Sequence, residues 1–394
     1  MDFDSFVIAS NKEKIAIVCV GYNRKPGLAR LLDSIEAARY DSNDIPLIIS
    51  IDCSGDQSVY NLAEEFKWSH GPKYVNIQKE RLGLKKHIFQ CGGLTRYFAG
   101  VIILEDDIFV APDFYRYTQD AVKAYDNNEE VAGIALYRND VNGYVGLPFY
   151  PYNDGSDAFL FQDVCTWGQC FTTFMWNRFL EFMKRDDVET IIQNTSMPVQ
   201  IKTWTKAWSK YFYAFMSVTN SYFVTPYNSF TTNFSDAGVH GGATNFVQVS
   251  MQWGLMRDFV FLPTDKCIKY DFWANNISLY NVLGYNDSDL CLDMYGDNDN
   301  IHNKRYILTP NRLGYKVLDS YGLRFRPHEL NIVYHIQGND IFLYDTSIND
   351  KKPKVGRISR LDYYLNGFNI RVLFSHTAKC YYEAFLRRLH RLFK

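Results

Sequence analysis

Three consecutive acidic residues, Glu105, Asp106 and Asp107, follow the apolar run Val101–Leu104. Neighbouring carboxylates at the end of a strand repel one another unless a cation neutralises them. A hard divalent cation such as Mn²⁺ or Mg²⁺ does this with oxygen ligands, and it can offset the charge of a departing diphosphate. A second interpretation fits the same residues: a solvated acidic turn, or acidic residues at the start of a helix near Pro112.

A repeating order of strands and helices must position these acidic residues. Apolar runs bounded by turn residues predict buried parallel strands. They lie at Ile15–Val20, Ile45–Ile51, Tyr74–Ile77, Val101–Leu104 and Val131–Leu136. Apolar residues at helical spacing predict helices between them. These lie at Leu28–Ile35, around Leu62–Phe66, around His87–Phe98, from Pro112 to about Tyr125 and, later, at Thr173–Lys184. This order predicts an α/β fold with a mostly parallel sheet and helices on both faces.

Three polar segments come directly after predicted strands: Gly21–Arg24, Asp52–Asp56 and Glu105–Asp107. Ligands of open α/β sheets bind beyond the carboxyl ends of the strands. The sequence therefore predicts one ligand site built from these three segments.

The same three segments resemble those of GT-A glycosyltransferases. They read Val20-Gly-Tyr-Asn-Arg-Lys-Pro26, Ile49-Ser-Ile-Asp-Cys-Ser-Gly-Asp56 and Leu104-Glu-Asp-Asp-Ile-Phe-Val-Ala-Pro112. The resemblance is to bacterial family-2-like enzymes and the N-acetylglucosaminyltransferase I group; it covers about residues 13 to 245 and is strongest before residue 115. It implies a Rossmann-like GT-A domain that takes a hexosyl or N-acetylhexosaminyl group from a nucleotide-sugar donor, UDP-linked, with Mn²⁺ or Mg²⁺.

The resemblance also implies roles for individual residues of the donor site. Asp107 is expected to be the metal ligand, with Glu105 and Asp106 nearer the ribose and sugar. The nucleoside is expected to contact Tyr22, Arg24 and Asp52. Arg81 and Lys85 are placed to meet the donor phosphates, although a solvated basic helix start explains these two equally well.

Later segments resemble the family more loosely. Trp167 and Gly168, within Thr166–Gln169, together with Trp204, are expected on the acceptor side. The segment Thr231–His240 resembles the part of these enzymes that closes over the donor. His240, at its end, is expected to be a second metal ligand or a phosphate contact, against the alternative of a structural histidine.

The position of the catalytic base departs from the family pattern. Related enzymes carry an aspartate within a Trp-Asp-x-x-Trp-like stretch, whereas this chain has Trp204-Thr-Lys-Ala-Trp208. An inverting transfer needs a base within hydrogen-bond reach of the acceptor hydroxyl. The candidates are Asp157, Asp163 and Asp236, and a retaining mechanism needs no such base. The stereochemistry is therefore open.

The charge of the chain is unevenly distributed. The net charge is −2, but Lys351–Lys394 holds eleven Lys or Arg residues against two acidic ones, so this tail carries +9 and the rest −11. Apolar residues recur at helical spacing from Tyr382 to Phe393, and basic residues fall largely on the opposite face. Such a helix can lie on an anionic membrane surface. The alternative is a helix that docks on its own domain or on a second subunit. This charge distribution does not suit a nucleic-acid-binding protein.

Four regions are predicted: an N-terminal tail (1–12), a catalytic domain (13–265), an accessory region (266–350) and the basic tail (351–394). Short strands are expected in the accessory region at Asn331–His335 and Asp340–Tyr344. Eight cysteines without CxxC spacing predict reduced thiols. No signal-peptide pattern or run of about 20 apolar residues is present. The expected location is the cytoplasm, peripheral on the inner face of the cytoplasmic membrane.

The expected role is sugar transfer to a glycan or lipid-linked acceptor hydroxyl in bacterial polysaccharide or glycoconjugate assembly. Two other classes of protein compete with this interpretation. A sugar nucleotidyltransferase would carry a Gly-rich basic loop after the first strand, and Gly21–Arg24 lacks it. A non-catalytic carbohydrate-binding protein fits the absence of an aspartate at Thr205.

Overall fold

The computed structural model describes residues 10–205, 207–236, 247–254, 257–354, 363–365 and 370–392. Seventeen strands are present in this part of the chain. They are β1 (Asn11–Gly21), β2 (Leu47–Ile51), β3 (Lys73–Ile77), β4 (Phe98–Glu105), β5 (Ile108–Val110), β6 (Val131–Ala135), β7 (Val141–Asn142), β8 (Leu147–Pro148), β9 (Ala158–Phe161), β10 (Gln169–Thr172), β11 (Tyr222–Pro226), β12 (Thr231–Asn233), β13 (Lys269–Tyr270), β14 (Leu290–Leu292), β15 (Tyr306–Thr309), β16 (Tyr315–Tyr321) and β17 (Ile341–Asn349).

Eleven α-helices accompany these strands in the described residues. They are α1 (Lys25–Glu36), α2 (Gln57–Glu65), α3 (Leu84–Gly92), α4 (Phe114–Tyr125), α5 (Thr173–Met183), α6 (Val188–Asn194), α7 (Val199–Lys202), α8 (Ser209–Thr219), α9 (Leu279–Leu283), α10 (Leu330–Val333) and α11 (Ile370–Leu392). Short 3₁₀ helices lie at Gly93–Arg96 and Ile301–Asn303.

A nine-stranded central sheet runs in the order β13-β9-β11-β6-β10-β4-β1-β2-β3. Neighbours from β4 to β3 are parallel, as are β6 with β11 and β9 with β13. Strand β10 runs antiparallel to both β4 and β6, and β9 runs antiparallel to β11. The predicted α/β fold class with a mostly parallel sheet is confirmed, and the architecture is consistent with a Rossmann-like GT-A domain.

Helices cover both faces of the central sheet because their apolar stripes match its two apolar faces. Helices α1, α2 and α4 pack on one face, where α1 buries Leu28, Leu31 and Ile35. Helices α3, α5 and α8 pack on the other, where Trp176 and Phe212 are buried. Strand β1, buried on both sides from Ile15 to Gly21, therefore reads as one continuous apolar run.

Two predicted elements differ from the structure. The helix expected over His87–Phe98 ends at Gly92, where the indole of Trp176 occupies the space that a side chain at residue 92 would need, and Phe98 begins β4. The strand expected at Asn331–His335 is wrong, because Leu330–Val333 is helical. The Asn331 side chain accepts hydrogen bonds from the backbone N–H groups of Arg324 and Phe325, and this local pairing holds a compact turn.

The accessory region contains a four-stranded sheet in the order β14-β15-β17-β16. The division expected at residue 265 stays a prediction, but the central sheet continues past it through β13. Phe159 and Phe161 of the central sheet also share a hydrophobic cluster with Leu290 and Leu343 of the accessory sheet. The two sheets are thus joined by a common apolar core.

Helix α11 forms within the predicted basic tail and is exposed along almost its whole described length. Phe374 and Tyr381 are 77% and 75% exposed. Among the described helices, none combines the length and apolar character needed to cross a membrane.

The buried imidazole of His87 predicts a specific pH dependence of stability. His87 lies beneath the sheet edge with Nε2 2.7 Å from Ser50 Oγ, and burial lowers its pKa to about 4 despite the opposing charge of Asp52. In the unfolded chain its pKa is about 6.5. The unfolded state therefore binds more protons below that value, and His87 should remove up to roughly 3 kcal/mol of stability as the pH falls from about 6.5 to about 4.

Denaturant unfolding of the wild type and of His87→Gln at pH 7 and pH 4.5 measures this contribution. The variant should lose less stability between the two pH values than the wild type. Equal losses of stability in the two proteins would show that His87 is not the source of this pH dependence.

Candidate functional site

The acidic residues form the turn between β4 and β5, at the carboxyl edge of the parallel strands. Arg24, directly before α1, joins two of them: its Nη2 contacts Asp106 Oδ1, and its Nη1 lies 3.1 Å from Asp107 Oδ2. Arg24 Nη1 also donates to the backbone carbonyl of Asp236 at 3.2 Å. The predicted first and third segments are therefore in direct contact.

Backbone contacts fix the position of this turn. Strand β5 pairs with β12, with Val110 opposite Thr231, and Phe234 N–H donates to the carbonyl of Asp107 at 2.9 Å. Gly27 of α1 lies so close to the Asp106 carbonyl that a Cβ at position 27 would be 2.5 Å from it. The first turn of α1 can therefore reach the acidic residues only because residue 27 has no side chain.

Burial dominates the electrostatics of the acidic turn. Burial, together with the negative charges of Asp107 and Asp106, raises the pKa of Glu105 to about 8 against the opposing charge of Arg24. Burial also raises the pKa of Asp106 to about 6, although Arg24 and the Tyr22 backbone N–H favour its ionised form. Burial lowers the pKa of Arg24, but Asp106 and Asp107 more than offset this and raise it above its ordinary value.

Among the described residues, one buried oxygen of the acidic turn has no hydrogen-bond partner. It is the buried Oδ1 of Asp107. A buried carboxylate oxygen without a donor is costly, and a divalent cation with oxygen preference would satisfy it. The residues fit such an ion through Asp107, although no cluster of three or more His, Cys, Asp or Glu ligands is found in the described ranges. His240, the second predicted ligand, lies outside the described residues.

Asp52 holds the loop that carries Arg81. Its carboxylate oxygens accept hydrogen bonds from the backbone N–H groups of Leu82 and Gly83 at 2.8 and 2.9 Å, and from Cys53 at 2.9 Å. The Asp52 carboxylate is thus already bound to backbone N–H groups of its own loop and of the loop that carries Arg81.

The two basic residues expected at the phosphates point in different directions. The Arg81 guanidinium lies 5.0 Å from the centre of the Tyr22 ring, beside the acidic turn. Lys85 instead lies over the ring of Tyr211 on α8, with Nζ 3.7 Å from its centre. Burial lowers the pKa of Lys85, which Glu189 opposes and Lys210 reinforces. Arg81 is therefore the better placed of the two for a ligand bound at the turn.

Two of the three residues expected on the acceptor side, Trp167 and Trp204, line one cavity of about 220 Å³, the Trp167 cavity. Asp163 lines it as well. Gly168 adopts a φ of +101°, and a Cβ there would be 2.9 Å from Thr231 Cγ2. A glycine is therefore required where the segment before β10 turns past β12.

The three candidate bases have different surroundings. Asp157 is bound by the Arg257 guanidinium and accepts from Val260 N–H at 2.7 Å. Asp236 is paired with Arg30 near the acidic turn. Asp163 faces the Trp167 cavity.

Several residues of the site were not predicted. Arg30 pairs with Asp236 and lies over the Phe234 ring, 3.9 Å from its centre. Tyr213 donates to Asp163, and Asn139 donates to it at 3.4 Å. These partners are 24 to 206 positions apart in the chain, and no local pattern indicates such pairs. The sequence offered one signal for these contacts. Arg30 lies on the predicted helix that begins just after Arg24, so it could be expected near the same site.

No protein-family model matches the chain, and no curated protein matches it in sequence. Partial likenesses to solved structures exist. S. aureus TarS in complex with UDP-GlcNAc aligns at 14% identity and a TM-score of 0.38, over 58% of this chain and 60% of that chain. GalNAc-T7 with UDP, GalNAc and Mn²⁺ aligns at 11% identity and a TM-score of 0.39, over 55% and 43%.

A third likeness is to the mannosyltransferase PcManGT from Pyrobaculum calidifontis, in complex with GDP-Man and Mn²⁺. It aligns at 15% identity and a TM-score of 0.31, over 48% of this chain and 55% of that chain. The alignments thus span less than two thirds of each of these three proteins. At such identities and TM-scores the function has to be argued from the site itself.

The position of Asp52 predicts the effect of removing its carboxylate. Asp52→Ala leaves the Leu82 and Gly83 N–H groups without their acceptor and frees the loop of Arg81, so it should cost about 2 kcal/mol of stability and weaken UDP binding. Denaturant unfolding and calorimetric titration with UDP and Mn²⁺ measure the two effects.

Asp154→Ala is the matched control, because Asp154 also accepts from a backbone N–H, that of Ser156, at 2.9 Å. This control should lose stability and keep its UDP affinity. Unchanged UDP affinity in Asp52→Ala would remove Asp52 from the donor site.

Proposed function

We propose that this chain is a metal-dependent glycosyltransferase that moves a hexosyl or N-acetylhexosaminyl group from a UDP-linked donor to a glycan or lipid-linked acceptor hydroxyl. The observation that carries the proposal is the buried Oδ1 of Asp107, which has no hydrogen-bond partner among the described residues and lies in a carboxylate-rich turn at the carboxyl edge of the sheet. The negative charge of this turn favours a bound cation, and the cation can in turn bind an anionic ligand. A nucleoside diphosphate-sugar has the matching chemistry.

The donor site combines groups of both signs. Asp107 would hold the cation, which when bound neutralises negative charge on the departing diphosphate. Arg24 and Arg81 supply positive charge next to it, and the Tyr22 ring offers a surface beside Arg81 on which a base can stack. Glu105 lies in the same turn, where its carboxyl group could hydrogen-bond a ribose or sugar oxygen.

The role of Asp107 predicts the outcome of its replacement. Asp107→Ala should abolish Mn²⁺-stimulated transfer and reduce the affinity for UDP with Mn²⁺, because the proposed metal ligand is gone. The assay is a donor panel of UDP-GlcNAc, UDP-GalNAc, UDP-Glc and GDP-Man with product detection by mass spectrometry. Asp41→Ala, which removes a surface carboxylate, is the control and should behave as the wild type.

Three outcomes would contradict the proposal. Full activity of Asp107→Ala, or of the wild type in excess chelator, would exclude a metal held by Asp107. Binding of glycans without turnover of any donor would favour a non-catalytic carbohydrate-binding protein.

We further propose that α11 holds the protein on the cytoplasmic face of an anionic membrane, where a lipid-linked acceptor would be found during polysaccharide assembly. Phe374, Tyr381 and Phe385 recur at helical spacing and are all more than half exposed. Lys379 and Arg387 lie on the opposite side of the same helix. On a membrane surface, the aromatic side chains would be buried in the interface and the basic side chains would lie near the lipid phosphates. Both interactions favour a helix that lies along the surface.

The basic face of α11 predicts salt-sensitive binding to vesicles. Each basic residue near an anionic surface should contribute about 1 kcal/mol, and this attraction should weaken in high salt. Deletion of residues 380–394 should therefore abolish co-sedimentation with anionic vesicles and spare transfer to a small soluble acceptor.

Charge reversal keeps the helix and isolates the electrostatic part. Lys379→Glu with Arg387→Glu should weaken co-sedimentation, whereas Lys184→Glu with Arg185→Glu, on the exposed end of α5, should not. An intact chain that ignores anionic vesicles at low salt would show that α11 docks on protein instead.

A further inference from the structure

The Trp167 cavity lies on the α8 side of the central sheet. Its walls come from the end of β6, the segment between β9 and β10, and the start of α8. Its volume, about 220 Å³, is smaller than the ~300–1,000 Å³ of sites that enclose drug-sized ligands, so it suits one ring-sized group.

The lining of this cavity suits a sugar ring. Trp167 and Trp204 supply flat apolar surface, and Tyr137 lies against the Trp167 indole with ring centres 4.8 Å apart. Asn139 and Asp163 supply acceptors and donors for hydroxyl groups. A pyranose has this same combination of an apolar face and a polar rim.

The cavity is connected to the acidic turn through β12. The carbonyl of Trp167 accepts a hydrogen bond from Thr231 Oγ1 at 2.6 Å. Thr231 pairs with Val110, three residues beyond Asp107, and Phe234 N–H on the same β12 segment donates to the Asp107 carbonyl. A ring in the cavity would therefore lie beside a donor sugar held at the acidic turn.

Asp163 is the carboxylate that this cavity presents. Tyr213 donates to its Oδ1, and Asn139 Nδ2 lies 3.4 Å from its Oδ2. Burial raises its pKa, and the hydrogen bonds from Tyr213 and Asn139 oppose that rise. By contrast, the carboxylates of Asp157 and Asp236 are each paired with an arginine, so they are poor proton acceptors.

We propose that the Trp167 cavity binds a single terminal sugar ring of the acceptor and that Asp163 is the catalytic base for its hydroxyl. This rests on the proposed glycosyltransferase function and narrows it to an inverting transfer onto a sugar rather than onto a lipid phosphate or a peptide side chain.

The proposed step is a single displacement. The proton of the acceptor hydroxyl passes to a carboxylate oxygen of Asp163 as the hydroxyl oxygen forms a bond to the anomeric carbon of the donor. The bond between that carbon and the diphosphate oxygen breaks, and its electron pair leaves with the nucleoside diphosphate. Asp163 then returns the proton to solvent.

The first test measures acceptor binding without any donor. Methyl glycosides of glucose, galactose, GlcNAc and GalNAc are titrated into the full chain, with saturation-transfer NMR as the readout. At least one should bind, and Trp204→Ala should weaken that glycoside at least tenfold, while UDP affinity with Mn²⁺ stays within twofold. Binding of no glycoside, or equal binding by Trp204→Ala, would overturn the acceptor site.

The second test separates the base from a structural role. Asp163→Asn should lower the rate constant of transfer by about 10²- to 10⁴-fold while glycoside and UDP binding remain, as for loss of a general base. Asp187→Asn, which alters an exposed carboxylate after α5, is the matched control and should keep the wild-type rate.

The pH dependence of the transfer rate tests the hydrogen bond between Asp163 and Tyr213. Transfer should fall as the pH drops through the pKa of Asp163, because the base must be ionised. Among the described residues, Tyr137, Tyr144 and Cys165 also face Asp163, and burial raises the pKa of each. The charged Arg138 lines the same cavity and is paired with Asp140. Tyr213→Phe removes a hydrogen bond that lowers the Asp163 pKa, so the acidic limb should move to higher pH.

The outcomes of these tests distinguish failure of the glycosyltransferase function from failure of the base role of Asp163. If no nucleotide-sugar is turned over by the wild type while glycosides still bind the cavity, the glycosyltransferase function and the base role both fail. If the wild type transfers sugar but Asp163→Asn does so equally well, or Asp157→Asn is the inactive variant, only the assignment of Asp163 fails. Product with the donor's own anomeric configuration would also exclude it.

Discussion

The concentration of negative charge at the end of β4 is the constraint on which the rest of the site depends. A buried charge left without its partner costs about 3–5 kcal/mol, a large part of the roughly 5–15 kcal/mol that holds a typical protein folded. The turn reduces this cost in two ways. Glu105 is shifted toward its protonated form, and Arg24 reaches both Asp106 and Asp107. Asp107 Oδ1 is buried without a hydrogen-bond partner in the described part of the chain, and a metal ion could satisfy it.

Meeting this constraint draws distant parts of the chain together. Arg24 must come within reach of the acidic turn, so α1 begins there and residue 27 has no side chain. Arg24 and Arg30 also hold the segment after β12 through Asp236, 206 positions beyond Arg30. Strand β12 then fixes the turn from its far side through β5. The neutralisation of one acidic turn therefore explains why the site includes a segment so late in the chain.

The parts of this arrangement that sequence reasoning could predict are those with local causes. Strands β1, β2 and β4 are largely buried on both faces, so each appears in the sequence as an apolar run. Polar residues follow each of these runs, and they indicated that the strands share one carboxyl edge. The antiparallel strand β10 could not be predicted, because Gln169-Cys-Phe-Thr172 is short and carries no alternating pattern of apolar and polar residues. The helix at Leu330–Val333 was missed because the side chain of Asn331, rather than periodicity, fixes that turn. Pairs such as Asp163 with Tyr213 depend on tertiary packing and leave no local pattern.

The reversed direction of β10 gives the candidate site its second half. In a wholly parallel sheet, the residues before a strand lie at the amino edge, far from the ligand. Because β10 runs antiparallel between β4 and β6, with Gln169 opposite both Ile103 and Ala135, its amino end lies at their carboxyl edge. The segment before it, with Asp163 and Trp167, is thereby brought beside the acidic turn. One reversed strand thus allows the acidic turn and an aromatic cavity to share a single edge of the sheet.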